Sequence, residues 1–330
     1  MYAEDPSRNF LPSIGHLKKY REPDVSDPSK RVRIDTGVEE GSEISMYYDP
    51  MISKLITWGK DREEAGRILD RAFDEYVIRG VTHNLGFGKS ILANPDFASG
   101  DYGTGFIEKW YPEGFTGDNL TPFDHRLLSV VGHKIKCINQ NYGKRDSTQL
   151  ETQFIRVKSL RDAPHADYKV ERLSDSDYQI TDLATGATET FTSSDFDFKY
   201  NSLITLKLNG EDQILQYNNV KNDGLSFSFS YKGNNVELAI LDDKQYQHLG
   251  HMPEPAKLDH AKSIISPMPG AVVQVLVQPG DAVVAGQQLL IIEAMKMQNV
   301  IKAERDAVVQ EVNVKAGDSV AVDELMIQMK

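Results

Sequence analysis

Leu289-Leu290-Ile291-Ile292-Glu293-Ala294-Met295-Lys296-Met297-Gln298-Asn299-Val300-Ile301 is an apolar run broken by a lysine set between two methionines. Its two flanks read as strands and its centre as the joint between them. A long primary amine at a hairpin tip is hard to bury and easy to present, so Lys296 is a candidate for acylation by another enzyme. The surrounding sequence repeats. Ala271-Val272-Val273-Gln274 recurs as Ala307-Val308-Val309-Gln310, and Gly280-Asp281-Ala282-Val283 recurs as Gly317-Asp318-Ser319-Val320, one residue further out of step. Each copy is a set of short β-branched strands broken by a Gly-Asp turn, and neither buries its apolar face alone. Residues 264–330 are therefore expected to form a small flattened β-barrel of two related halves, with Lys296 at their junction. Gly280, Gly286 and Gly317 are read as turn residues that need positive φ.

The remaining sequence is long enough for two further cores, since the whole chain has 330 residues. A net charge of −12 speaks against a nucleic-acid partner, whose phosphates favour the opposite sign. No uninterrupted apolar stretch approaches the roughly 18 residues of a membrane span. The single cysteine, Cys137, excludes an intrachain disulfide and fits a reducing compartment. Nothing at the N-terminus reads as a signal or transit peptide. Met1-Tyr2-Ala3-Glu4-Asp5-Pro6 instead reads as a strand entering a loop, and the chain is expected to be a fragment.

Residues 1–116 carry mixed α/β signals. Arg31–Asp35 and Met51–Gly59 read as strands. Asp61 is an N-cap with Glu64 three residues on, followed by an apolar stripe of Ala65, Ile68, Leu69, Ala72, Phe73 and Tyr76, with Gly80 as the helix stop. A second helix is expected from about His83 to Ala93. In 117–249, Leu127, Val130, Val131, Ile135 and Ile138 predict one amphipathic helix. Seven or eight short strands follow, split by turns at Thr185-Gly186, Asn209-Gly210, Asn222-Asp223-Gly224 and Gly233-Asn234. Leu225, Phe227, Phe229 and Tyr231 mark one face of such a strand. An antiparallel barrel or sandwich is the expected result. Residues 250–263, with Pro253 and Pro255, read as a linker. The fold class is thus α+β multidomain: a mixed α/β unit, a helix plus antiparallel β-barrel, and the small two-halved barrel.

Ser266-Pro267-Met268-Pro269-Gly270 together with Glu293-Ala294-Met295-Lys296-Met297 closely resembles the biotinyl (biotin carboxyl carrier) domain. The resemblance implies biotin covalently attached to Lys296, with Met295, Met297, Glu293 and Ala294 as flanking residues recognised by biotin protein ligase, though the two methionines could equally pack against the barrel lip. The lipoyl domain shares the fold but usually has Asp-Lys-Ala at the tip. Tyr2–Pro6, Tyr47–Leu55 and Tyr76–Asn84 resemble the C-terminal portion of a biotin carboxylase domain, closest in wording to acyl-CoA carboxylase α subunits of the propionyl-CoA type. The methylcrotonyl-CoA type is the alternative. The middle region matches in position and kind the segment by which such subunits dock on a carboxyltransferase β subunit.

By this resemblance the ATP-grasp part, with its ATP and Mg2+ or Mn2+ sites, and the catalytic arginine lie N-terminal to Tyr2. No complete catalytic set is expected in this chain, which would act as a carrier and assembly module, meeting acyl-CoA only through its partner. The family is mitochondrial in eukaryotes and cytoplasmic in bacteria. Arg33 resembles the arginine at biotin carboxylase dimer contacts. Tyr47-Tyr48-Asp49 could help place biotin in an intact enzyme, or equally be core packing and a turn. His248, His251 and His260 lack any accompanying cysteine and read as solvated linker residues rather than a metal site.

Overall fold

The N-terminal core gathers around Leu17, Ile52, Tyr76, Ile78 and Leu85, all buried. The computed structural model describes residues 1–8, 10–26, 31–45, 47–112, 114–115, 117, 120–141, 152–159, 165–198, 203–220, 226–249, 251, 263–294 and 297–330. Four short antiparallel strand pairs frame this core: Glu4–Asp5 with Leu11–Pro12, Gly15–His16 with Glu43–Ile44, Lys19–Arg21 with Val77–Arg79, and Val32–Thr36 with Ser53–Thr57. Helix α1 (Arg62–Glu75) starts as its sequence predicts, the Asp61 carboxylate accepting from the Glu64 amide at 2.8 Å. Helix α2 (Leu85–Ala93) packs beside it, followed by the short helices α3 (Pro95–Ser99) and α4 (Phe106–Trp110).

Gly80 is not the stop of α1. The helix ends at Glu75, because Tyr76 turns extended and Val77–Arg79 leaves to pair with Lys19–Arg21. The Tyr76 hydroxyl is held between Ser53 Oγ at 2.7 Å and Tyr20 Oη at 2.6 Å. Gly80, at φ 106°, is needed for a different reason: a Cβ there would collide with the His16 carbonyl and lie 2.8 Å from the Lys18 amide nitrogen.

Helix α5 (Pro122–Asn141) leads into eight antiparallel strands from Thr152–Ser159 to Asn234–Leu241. First and last strands pair, Val157 opposite Leu238, so the sheet is a closed barrel and not a sandwich. Every second residue points inward, including Val170, Ile180, Leu206, Tyr217, Phe229 and Leu238. Leu225 lies outside the described residues.

The expectation of an amphipathic helix is corrected here. Leu127, Leu128, Ser129, Val130, Val131, His133 and Ile135 are all 0% exposed, and at 100° per residue they point in every direction around the axis. A helix buried on all sides must be enclosed, and α5 occupies the barrel interior. Gly132 allows the fit, since a Cβ there would lie 3.2 Å from both Leu238 Cδ1 and Ile240 Cδ1.

The barrel is fastened to the N-terminal unit. Gln216 Nε2 donates to the carbonyls of Tyr76 (2.9 Å) and Asp74 (3.2 Å), and Arg79 donates to the carbonyls of Tyr217 and Asn218. Gly86 of α2 lies against Gly233 in a barrel turn, so close that a Cβ on Gly86 would stand 2.5 Å from the Gly233 carbonyl oxygen. The expected linker at 250–263 falls, apart from His251 and Ser263, outside the described residues.

Residues 263–330 fold as two four-stranded sheets. One joins Met297–Lys302, Gln288–Ala294, Gly270–Val275 and Ser319–Val320; the other joins Ser263–Ile265, Leu325–Met329, Ala307–Val312 and Ala282–Val283. The copies exchange strands: Ser319–Val320 of the second pairs with Gly270-Ala271 of the first, and Ala282-Val283 of the first with Ala307-Val308 of the second. The turns are duplicated bond for bond. The Asp281 carboxylate accepts from the Gln278 amide and Asp318 from that of Lys315, while Gly280 N donates to Val309 O and Gly317 N to Val272 O. Gly280, Gly286 and Gly317 all have positive φ, as their turn chemistry predicts.

These equivalences run at a constant spacing of 37 residues, as from Val272 to Val309 and from Gly280 to Gly317. The literal match of Ala271–Gln274 with Ala307–Gln310 is therefore out of step by one. Burial decides the register: Val272 and Val309 point into the core, whereas Val273 and Val308 are 40% and 41% exposed. A slip of one residue would turn each valine to the wrong face.

Candidate functional site

The hairpin that carries Lys296 is built from Gln288–Ala294 and Met297–Lys302, with Ala294 opposite Met297, Glu293 opposite Gln298 and Ile292 opposite Asn299. Met295 and Lys296 connect Ala294 to Met297 and lie outside the described residues. Its inward side chains Leu290, Ile292 and Ala294 join the core with Met268, Val272 and Met326. Ala294 is 3% exposed, so its side chain is packing and not a contact that a ligase can reach. Glu293 points the other way and accepts from Gln298 Nε2 at 3.1 Å.

The base of the hairpin is fixed by the segment Ser266–Gly270. Ser266 is fully buried and its hydroxyl donates to the Met268 carbonyl at 2.6 Å, which shapes the turn that drives Met268 into the core. Gly270 then passes directly beneath the hairpin: a Cβ would lie 2.6 Å from Ile292 Cγ2 and 2.7 Å from the Glu293 carbonyl oxygen. Only glycine permits that approach of backbone to backbone. The Pro-Gly in the sequence signals a special backbone position, but the partner it approaches is 22 residues away and is not written locally. A two-strand joint seated on a dry core suits the attachment of a prosthetic group through an amine.

Other candidate residues lie in the N-terminal unit and after the last strand of the barrel. Arg33 extends from its strand, 65% exposed, with its guanidinium 3.0 Å from the Asp35 carboxylate. Tyr47 and Tyr48 are 73% and 76% exposed, which removes core packing as their explanation. The rings of His248 and His251 are 6.1 Å apart, and His260 is outside the described residues. Among the described residues no group of three His, Cys, Asp or Glu is placed to hold a metal ion. No described helix is long and apolar enough to cross a membrane.

Comparison with known proteins agrees with both ends of the chain. The biotin carboxylase C-terminal domain family matches residues 1–109, and the biotin-requiring enzyme family matches residues 262–329. The propionyl-CoA carboxylase alpha chain of Ruegeria pomeroyi is 35% identical over all of this chain and 50% of its own length. The mitochondrial propionyl-CoA carboxylase alpha chain of Mus musculus is 35% identical over all of this chain and 45% of its own. The mitochondrial methylcrotonoyl-CoA carboxylase subunit alpha of Dictyostelium discoideum is 32% identical over 94% of this chain and 45% of its own. The chain thus spans about half the length of the relatives it matches. From end to end it is homologous to the C-terminal portion of propionyl-CoA carboxylase alpha chains, with a biotin carboxylase C-terminal domain at one end and a biotinyl domain at the other.

Proposed function

We propose that this chain is the biotin-carrying C-terminal portion of a propionyl-CoA carboxylase α subunit, with biotin joined to Lys296 Nζ through an amide. The observation that carries the reading is the pairing of Ala294 with Met297 at the joint of two strand-exchanged halves, within a region matched by the biotin-requiring enzyme family. Amide formation removes the lysine charge and leaves a tether whose reach with the biotin side chain is about 15 Å. When bound, biotin would supply a ureido nitrogen able to take up and release a carboxyl group. The chain's own residues anchor and present that arm. Gly270 and the strand pairs fix the hairpin base, while Met295, Met297 and Glu293 are the residues that biotin protein ligase would recognise.

The working division is 1–116 as the biotin carboxylase C-terminal domain, 117–249 as the helix-in-barrel domain that docks on a carboxyltransferase β subunit, 250–263 as linker and 264–330 as carrier. ATP, with Mg2+ or Mn2+, would act in the parent enzyme's ATP-grasp part, and the acyl-CoA at the carboxyltransferase. Propionyl-CoA is favoured as the parent's substrate because its α chains match this chain at 34% to 37% identity, the methylcrotonoyl type at 32%. The compartment would be the mitochondrial matrix in a eukaryote and the cytoplasm in a bacterium.

Co-expression with biotin protein ligase, followed by avidin blotting and intact-mass measurement, tests the site. The wild-type chain is expected to gain the mass of one biotinyl group, and Lys296→Arg none. An avidin-positive Lys296→Arg chain, or a wild type that takes lipoate instead, would overturn the assignment.

A further inference from the structure

One loop of the N-terminal unit reaches the carrier. Glu4–Asp5 and Leu11–Pro12 pair as a hairpin, with Glu4 opposite Pro12 and Asp5 opposite Leu11, headed by a 3-10 turn at Pro6–Arg8. The head is braced from within: Ser7 Oγ donates to the Asp5 carboxylate at 2.6 Å, the Ser7 amide to the same oxygen at 3.0 Å, and the Phe10 amide to the Asp5 carbonyl at 2.8 Å. Arg8 projects from this head and its guanidinium donates to the main-chain carbonyl of Pro267. On the adjoining strand, Leu11 packs against the apolar core of the carrier domain. Pro267 belongs to the Ser266–Gly270 segment, which lies against Ile292 and Glu293. What the loop grips is therefore the foundation of the Lys296 hairpin.

We propose that the pair Glu4–Asp5 and Leu11–Pro12, with its Pro6–Arg8 head, is an intramolecular dock for the carrier domain, with Arg8 and Leu11 as its positioning residues. The inference rests on the carrier reading above only in naming the cargo; the contact itself is independent of biotin. A guanidinium suits the task, since it presents several fixed donors to a carbonyl. Among the described residues the contact is small, one hydrogen-bonded head and one leucine, and that smallness is functional. A tethered domain meets its dock at high effective concentration, so a weak contact suffices to hold it, and a stronger one would prevent its departure. The dock selects one orientation of the carrier, with the hairpin base turned toward the N-terminal unit.

Hydrogen exchange followed by mass spectrometry on the full chain tests the dock. In Arg8→Ala, main-chain amides of 266–276 are expected to exchange about 2- to 10-fold faster than in wild type, the range set by loss of one hydrogen bond. Arg8→Lys should restore part of the protection, and Arg33→Glu should leave it unchanged. Leu11→Ala is expected to act on the same carrier segment. A purely local role for Arg8 would loosen only residues 4–12, so unchanged exchange at 266–276 in both Arg8→Ala and Leu11→Ala would overturn the proposal. Avidin blotting of the same variants separates the two readings, because loss of the dock leaves biotinylation intact.

Discussion

Asp74 is placed against its chemistry. It sits in the last turn of α1, where the helix dipole disfavours a carboxylate, and burial beneath the barrel disfavours it further. Burial pushes its pKa up to about 6, against the lowering influence of Lys89, whose Nζ is 2.9 Å away. Lys89 is itself buried and also 2.6 Å from the Asp70 carboxylate, so it cannot serve Asp74 alone. Because the folded value lies above the ordinary 3.8, the stability contributed by this group is full below pH 3.8 and is lost as pH rises through about 6. The loss amounts to on the order of 2–3 kcal/mol. Urea unfolding at pH 4, 5, 6 and 7 should show the stability of wild type relative to Asp74→Asn declining over this window. A difference independent of pH would exclude the role. The sequence gives no hint of this group, because the cover over α1 comes from Gln216 and its neighbours, some 140 residues downstream.

At the scale of elements, α5 makes the sharpest test. On a surface helix whose apolar stripe follows Leu127, Val131 and Ile135, Ser129 would face water and accept any polar side chain. Inside the barrel Ser129 is fully buried, its hydroxyl donating to the His125 carbonyl at 2.8 Å. Ser129→Glu is therefore expected to cost on the order of 3 kcal/mol or more in chemical unfolding, against less than about 0.5 kcal/mol on an exposed face. The strands were readable because a period of two survives whatever lies on the other side of the sheet, and α1 was readable at its start because capping is local. Its end was not, since Val77–Arg79 is claimed by a strand some 60 residues earlier. The helix read as amphipathic because a polar residue satisfied inside a barrel looks in sequence like a solvated one; His133 meets Tyr178 edge-on at 5.4 Å. The two strands that flank Lys296 were legible from their apolar runs, whereas the contact of Arg8 was not, because its partner is 259 residues away.

At the scale of the molecule, two units are bound through main-chain carbonyls and close glycine contacts, and the third is held by a lighter touch. The strand exchange of that third unit has a further consequence. Shifted by 37, the first strand Ser263–Ile265 lands on 300–302, within the strand that follows Lys296. Ser263 lies opposite Gln328 as Val300 lies opposite Ile291, so the two ends of the carrier are already neighbours. Topologically the domain is a ring cut once. Rejoining 330 to 263 through a short glycine loop and reopening the chain at the exposed turn 304–306 would preserve every strand pair. A full-length chain carrying the carrier in this circularly permuted order is expected to remain avidin-positive, and loss of labelling in a folded permutant would count against it. The order in which the strands leave the ribosome would then be incidental to where the lysine is held.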